Sequence, residues 1–82
     1  MYIHIGQDYV INELDVIGVF DLDNTSTSQI TMDFLKNLEN DGRLISISDE
    51  IPKSFIITAS GGDYIGYLSP LGSRTIQARS AD

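Results

Sequence analysis

The chain has 82 residues, so it is expected to form one small domain, residues 1–82. It contains no cysteine, so we expect neither disulfides nor a zinc site to support its core. Twelve acidic residues against five basic ones give a formal charge of −7, and such a surface repels nucleic-acid phosphates unless its cations lie together. No two of the cations are adjacent in the sequence: Lys36, Arg43, Lys53, Arg74 and Arg79. A chain this small gains buried area by self-association, so we expect a homo-oligomer.

The sequence gives no sign of a membrane segment or an export signal. No apolar run approaches the roughly 18 residues of a transmembrane helix. The segment after Met1 lacks the basic region with which a secretory signal begins. We therefore expect a cytoplasmic protein that has no membrane partner.

Three strands are predicted before the main helix. Residues 2–5 and 9–11 are short runs suited to strands, separated by the turn signal Gly6-Gln7-Asp8. Residues 15–22 form a longer run rich in β-branched side chains.

Residues 26–41 predict the main helix. Ser26 followed by Gln29 fits a capping box, and Gly42 suits the left-handed position that follows a helix. An apolar stripe at helical spacing is expected to face the core: Ile30, Phe34, Leu35 and Leu38.

The second half of the chain predicts three further strands and a short helix, at residues 44–47, 54–58, 64–68 and 73–79. Gly61-Gly62-Asp63 has the composition of a hairpin turn, and Gly66 interrupts the last strand as a bulge would. The order βββαβββα predicts an α+β fold with a small, largely antiparallel sheet, one main helix and a short C-terminal helix.

The segment from Phe20 to Thr25, Phe-Asp-Leu-Asp-Asn-Thr, resembles the start of haloacid-dehalogenase-type phosphatases. In those enzymes the first Asp attacks phosphorus, the second is an acid/base, and both help to hold magnesium. That chemistry also needs a lysine, further carboxylates and a parallel α/β sheet, whereas this chain has one helix long enough to be a crossover. Carboxylates before a helix are favourable as capping groups. We interpret Asp21 and Asp23 as turn and capping residues, and as weak metal candidates at most.

Other residue types that are common in active sites form no recognisable constellation. His4 is the single histidine, and we interpret it as a partly buried structural residue or a subunit contact. The four tyrosines favour packing or anchoring of a subunit contact over base stacking: Tyr2, Tyr9, Tyr64 and Tyr67. We predict no catalytic residue, no cofactor and no enzymatic activity.

Four segments, taken in order, carry a resemblance that covers nearly the whole chain: residues 2–6, 17–23, 41–45, and 52–58 followed by 68–71. Together they resemble the small bacterial extracellular-matrix regulatory family, RemA and RemB, and are closer to the RemB branch. The resemblance implies a small protomer that assembles into rings and regulates genes of the biofilm matrix. In the RemA branch it implies direct DNA binding, through weak basic contacts that are summed around the ring.

The chain departs from the RemA pattern at three cationic positions. In alignment, the arginine before the core of the third strand corresponds to Asp15, and the paired arginines before the next-to-last strand correspond to Glu50 and Ile51. One hypothesis is a matrix-gene regulator with weak DNA contacts, for which the candidate residues are Lys53, Arg43, Arg74 and Arg79. The alternative is an acidic protein-interaction scaffold that has lost the DNA surface and binds another regulatory protein.

Overall fold

A computed structural model describes residues 2–6, 8–22 and 29–80, apart from the side chains at positions 77, 79 and 80. The strands are β1 (Tyr2–Gly6), β2 (Tyr9–Asn12), β3 (Val16–Asp21), β4 (Leu44–Ser46), β5 (Ser54–Ser60) and β6 (Asp63–Ser69). The helices are α1 (Gln29–Asn40) and α2 (Ser73–Ser80), and a 3-10 turn (Glu13–Asp15) joins β2 to β3. The predicted α+β class and the order βββαβββα are confirmed.

The six strands form two sheets. β1 and β2 make an antiparallel hairpin, while the other four strands are arranged in the order β3-β5-β6-β4. Pairing is antiparallel from β3 to β5 and from β5 to β6, but β4 runs parallel to β6. β3 and β4 therefore run in the same direction on opposite edges, and α1 is the crossover between them.

The four-stranded sheet separates two apolar clusters. On one face α1 packs over β4 and β6, with Leu38, Phe55 and Ile57 buried. On the other face the β1–β2 hairpin and α2 cover the sheet. The buried residues of that second cluster are Ile3, Ile5, Ile11, Ile47, Ile56 and Ile76. Because side chains alternate along a strand, β5 supplies residues to both clusters.

The end of α1 agrees with its predicted signal. Gly42 has a φ of 74° and its N–H donates to the carbonyl of Glu39 (3.1 Å), while the N–H of Arg43 donates to the carbonyl of Leu38 (2.8 Å). This pair of bonds is a Schellman motif. The predicted capping residue Ser26 lies outside the described residues, and α1 is described from Gln29.

The predicted core stripe of α1 is wrong at its first member. Leu38 is buried and Phe34 and Leu35 are half-buried, but Ile30 is 82% exposed. Burial therefore decreases toward the start of α1, because the helix packs mainly over β4 and β6, on the side of the sheet away from β3.

The predicted bulge at Gly66 is also wrong. The register between β5 and β6 is continuous from Ser54↔Ser69 to Ser60↔Asp63. A Cβ atom on Gly66 would lie 2.7 Å from Cε1 of Phe55 and 2.9 Å from Cδ1 of Leu38. Glycine is needed here because α1 and the Phe55 ring approach the β6 backbone closely.

A buried hydroxyl connects the two sheets. Ser69 is fully buried, and its Oγ donates to the carbonyl of Ile5 in β1 and accepts from the N–H of Leu71 (3.0 Å). Ser54, also fully buried, donates to the carbonyl of Leu71 (2.8 Å). These bonds hold the β1–β2 hairpin and the start of the α2 segment against the same end of the four-stranded sheet.

Candidate functional site

The candidate cations Arg43 and Lys53 lie at opposite ends of the four-stranded sheet. The register places Arg43 beside Ile65 and Lys53 beside Pro70. These two positions are about five residues apart along β6 and its extension, or roughly 16 Å at the usual rise of a strand. The fold therefore separates these two candidate DNA contacts.

Arg43 is also engaged within the protomer. Its Nη1 lies 3.1 Å from Oδ1 of Asp63, the first residue of β6. The two side chains are 45% and 64% exposed, so the ion pair contributes little to stability. It nevertheless places a carboxylate against the guanidinium that a phosphate would have to bind.

Lys53 lies at the other end, between the ends of β3 and β6. Its N–H donates to the carbonyl of Ser69 (2.8 Å), and its carbonyl accepts from the N–H of Leu22 (2.9 Å). The backbone of Lys53 is therefore fixed, and its side chain is exposed. Arg74 is exposed in the first turn of α2, which follows the end of β6, so it lies at the same end as Lys53.

This end of the molecule also carries negative charge. Asp21, the last residue of β3, is exposed and pairs with Ser54, the residue after Lys53. Asp49 and Glu50 are exposed in the loop that leads to Lys53. Two of the four predicted cations, Lys53 and Arg74, thus lie toward one end of the molecule, which also carries acidic residues. The side chain of Arg79 lies outside the described part of the chain.

An apolar groove that the sequence did not predict lies between α1 and the edge strand β3. The groove has a volume of about 310 Å³, and no Asp, Glu, Lys or Arg is among the described residues that line it. Those residues are Ile17, Ile30, Thr31, Phe34, Ile57 and Tyr64. The rings of Phe34 and Tyr64 meet edge to face, 5.8 Å between centroids. Ile30 carries the sequence signal for this groove, because it begins the apolar stripe of α1, which the spacing predicts to face the core.

A second cleft, of about 410 Å³, lies between the end of β2 and the β5–β6 hairpin. It is lined in part by Tyr2, Tyr67 and Asp15. Burial raises the pKa of the Tyr67 phenol above its usual 10.0, and the nearby Tyr9 and Asp15 raise it further. Tyr9 and Tyr67 meet edge to face with centroids 6.5 Å apart.

The family assignment rests on two comparisons. Residues 2–79 match the RemA-like family, described as extracellular matrix regulatory protein A-like. The chain belongs to the RemA-like family. It is also 34% identical over 80 residues to extracellular matrix regulatory protein B of Bacillus subtilis (strain 168), across 98% of this chain and 90% of that protein. The resemblance to this family, on its RemB-like side, is confirmed.

In this RemA-like chain the three predicted departures from the RemA pattern lie in two places. Asp15 is half-buried in the 3-10 turn, beside the Tyr67 cleft. Glu50 and Ile51 are exposed in the loop before Lys53, where the N–H of Glu50 donates to Oγ of Ser48 (3.1 Å) and Ile51 is 85% exposed. Two of the departures therefore adjoin the Lys53 end.

In this RemA-like fold the phosphatase-like segment does not follow a strand of a parallel α/β sheet, since β3 is an edge strand paired antiparallel with β5. Asp21 ends β3, and Asp23 lies outside the described residues. Within residues 2–6, 8–22 and 29–80, no group of three or more His, Cys, Asp or Glu side chains is placed to hold a metal ion. The family to which the chain belongs is described by a regulatory function and not by a reaction.

His4 is exposed on β1, so the interpretation as a partly buried residue is wrong, while a subunit contact stays a prediction. No helix in the described part of the chain is long and apolar enough to cross a membrane.

Proposed function

We propose that this RemA-like chain is a small oligomeric regulator of extracellular-matrix genes, and that it acts in the cytoplasm through weak DNA contacts repeated around a ring of identical copies. The observation that carries the proposal is the identity of 34% to a matrix regulatory protein across 98% of the chain. Relatedness over this length applies to the whole fold and not to one motif.

The DNA contact is assigned to the Lys53 end of each copy. Lys53 and Arg74 are exposed there, whereas Arg43 is paired with Asp63 at the far end of the sheet. Two cations among acidic neighbours make a weak site in a single copy. Repetition around an assembly raises avidity by ~10²–10⁴ without any new contact, which is how a weak site becomes useful.

The test is a titration of matrix-gene promoter DNA by fluorescence anisotropy at about 50 mM and about 200 mM salt, with the mass measured by light scattering on the same sample. We expect a high-order oligomer that binds at the lower salt and is released at the higher one, because phosphate contacts are lost by counterion competition. An oligomer that ignores DNA at both salts contradicts direct binding.

A matched pair of charge reversals locates the contact. Lys53→Glu should weaken binding at low salt and reduce its salt dependence. Lys36→Glu makes the same change of two charge units at an exposed position on α1 and should have a much smaller effect. Equal losses from both variants would mean that net charge, and not the Lys53 end, determines binding.

A second candidate function, an acidic scaffold for another regulatory protein, is favoured by the loop before Lys53. The resemblance places the paired arginines of the RemA branch at Glu50 and at Ile51, which is 85% exposed. The double variant Glu50→Arg/Ile51→Arg tests this function. If it gains salt-sensitive DNA binding that the parent chain lacks, the parent has exchanged its DNA surface for a protein-binding one.

A further inference from the structure

We propose that the apolar groove between α1 and β3, together with the edge of β3 that no described strand covers, receives a neighbouring copy of this chain in the assembly. The inference rests on the oligomeric form of the proposed function and assigns that assembly to a particular surface.

The groove exposes side chains that a monomer normally buries. Ile30 is 82% exposed, Ile17 58% and Tyr64 47%, and all three line the same concave surface. Single exposed apolar residues are common, whereas a contiguous apolar patch marks an interaction site. Phe34, packed edge to face on Tyr64, gives the groove a rigid aromatic wall.

The groove continues into an open sheet edge. β3 pairs with β5 on one side, and no described strand pairs with its other side. Edge strands are often protected by lysine, proline, charge or a bulge. β3 reads Val-Ile-Gly-Val-Phe-Asp, so it carries no lysine or proline, and its pairing with β5 has one register irregularity, between Val16 and Gly18. Ile17 belongs to both β3 and the groove, so this edge of the sheet and the apolar groove adjoin each other.

Charge indicates that the occupant is a second copy. Two chains of −7 repel each other, so they associate best through a surface that carries no charge. None of the described residues lining the groove is Asp, Glu, Lys or Arg. Two other clefts are lined by acidic residues, Asp8 and Asp49 in one and Asp15 in the other. A basic partner would be attracted to those clefts, whereas the groove suits an identical, acidic chain.

A chain of this size gains buried apolar area from such a contact. The described residues bury nine hydrophobic side chains, a small core. The accessible surface of the chain is 5319 Å², so a standard contact of about 800 Å² per partner would cover roughly 15% of it. The groove and the adjoining edge offer an apolar centre for a contact of that size.

The first test compares two equally exposed isoleucines. Ile30→Asp and Ile30→Lys should each raise the dissociation constant of the oligomer by about 30-fold or more, the effect of removing one interface hot spot. The variants introduce opposite charges, so a loss in both reflects the lost apolar contact and not repulsion. Ile51→Asp, at a residue 85% exposed in the loop before Lys53, should leave the assembly unchanged. Light scattering over a dilution series measures the mass, and circular dichroism checks that each variant is folded.

The second test uses the absence of cysteine from the chain, since one introduced thiol is then the sole reactive site. In Ile30→Cys the thiol should react slowly with a maleimide at high protein concentration and faster on dilution. In Ile51→Cys the rate should be independent of concentration. This measurement needs no charge in the groove and distinguishes burial in an interface from misfolding.

The outcomes separate this inference from the function on which it rests. If the unsubstituted chain is an oligomer, and Ile30→Asp retains its mass while the Ile30→Cys thiol stays reactive, the groove is not the interface and the proposed regulator stands. If the unsubstituted chain is a monomer at all concentrations, both this inference and the oligomeric form of the proposed function are overturned. Dissociation of both Ile30 variants with an unaffected Ile51→Asp supports the assignment.

Discussion

Gly66→Ala should destabilise the fold, because the added methyl group has no space between β6 and α1. Its Cβ would lie 2.7 Å from Cε1 of Phe55 and 2.9 Å from Cδ1 of Leu38, against about 3.5–4.0 Å for an unstrained carbon contact. Phe55 is fully buried and Leu38 is 4% exposed, so neither side chain has room to move away. Overpacking of this kind costs about 1–3 kcal/mol.

A partial gain offsets that cost. Replacing a strand glycine lowers the conformational entropy of the unfolded chain and returns about 0.5–1 kcal/mol. We expect Gly66→Ala to lower the free energy of unfolding by about 1–2 kcal/mol, and therefore the melting temperature by roughly 4–16 °C for a domain of this size. Urea denaturation followed by circular dichroism gives the first quantity, and a thermal scan gives the second.

Gly18→Ala is the matched control. Its Cβ would lie 3.0 Å from Cε2 of Phe20, but that ring is 36% exposed and can rotate toward solvent. We expect a change within about 0.5 kcal/mol, as for most surface substitutions. The double variant Gly66→Ala/Leu38→Ala should lose less free energy of unfolding than the sum of the two single variants, because alanine at position 38 makes room for the added methyl group. A harmless Gly66→Ala, or fully additive losses, would refute the close approach of α1 to β6.

Three further predictions concern single side chains. Ser69→Ala should cost about 1–3 kcal/mol in urea denaturation, because the buried carbonyl and N–H that its hydroxyl serves are left unpaired. Burial raises the pKa of Tyr67 above 10.0. The stability that this shift contributes is complete below pH 10.0 and is lost as the pH rises through the pKa of Tyr67 in the folded state. Tyr67→Phe should therefore remove this part of the pH dependence of the urea midpoint. Arg43→Ala should change the free energy of unfolding by less than about 1 kcal/mol, because its ion pair with Asp63 is exposed, and a larger loss would show a structural role.

Local signals in the sequence predicted most of the secondary structure. Gly42 marked the end of α1, and Gly61-Gly62, both with positive φ, marked the turn between β5 and β6. Each of these signals depends on the backbone conformation of one or two residues, which the residue type itself limits. Such positions can be read without knowledge of the rest of the fold.

Features that depend on distant contacts were not predicted. The parallel pairing of β4 with β6 and the separation of the β1–β2 hairpin depend on which strands meet, and local composition does not contain that information. Gly66 shows the same limit, since an interrupted strand pattern suits a bulge and a close helix approach equally well. The contact with Phe55 and Leu38 decides between them.

The candidate cations show the same limit. Lys53 and Arg74 are far apart in sequence, but the end of β6 and the start of α2 bring them to one end of the sheet. Arg43 was grouped with them, although β4 places it at the other end, beside Asp63. Helical spacing placed Ile30 on the apolar side of α1, but spacing does not show whether anything covers that side.

The division of charged and apolar surface gives the groove and the Lys53 end separable roles. If repetition in an assembly is what makes two cations per copy sufficient, Ile30→Asp should abolish DNA binding at low salt without removing a cation, because it removes the other copies. Lys53→Glu should weaken the same binding while the mass of the oligomer stays unchanged. Light scattering and anisotropy on both variants measure the two effects side by side. If Ile30→Asp is monomeric and still binds DNA as tightly as the unsubstituted chain, then avidity is not the basis of the affinity, and a single copy must carry a stronger site than Lys53 and Arg74 provide.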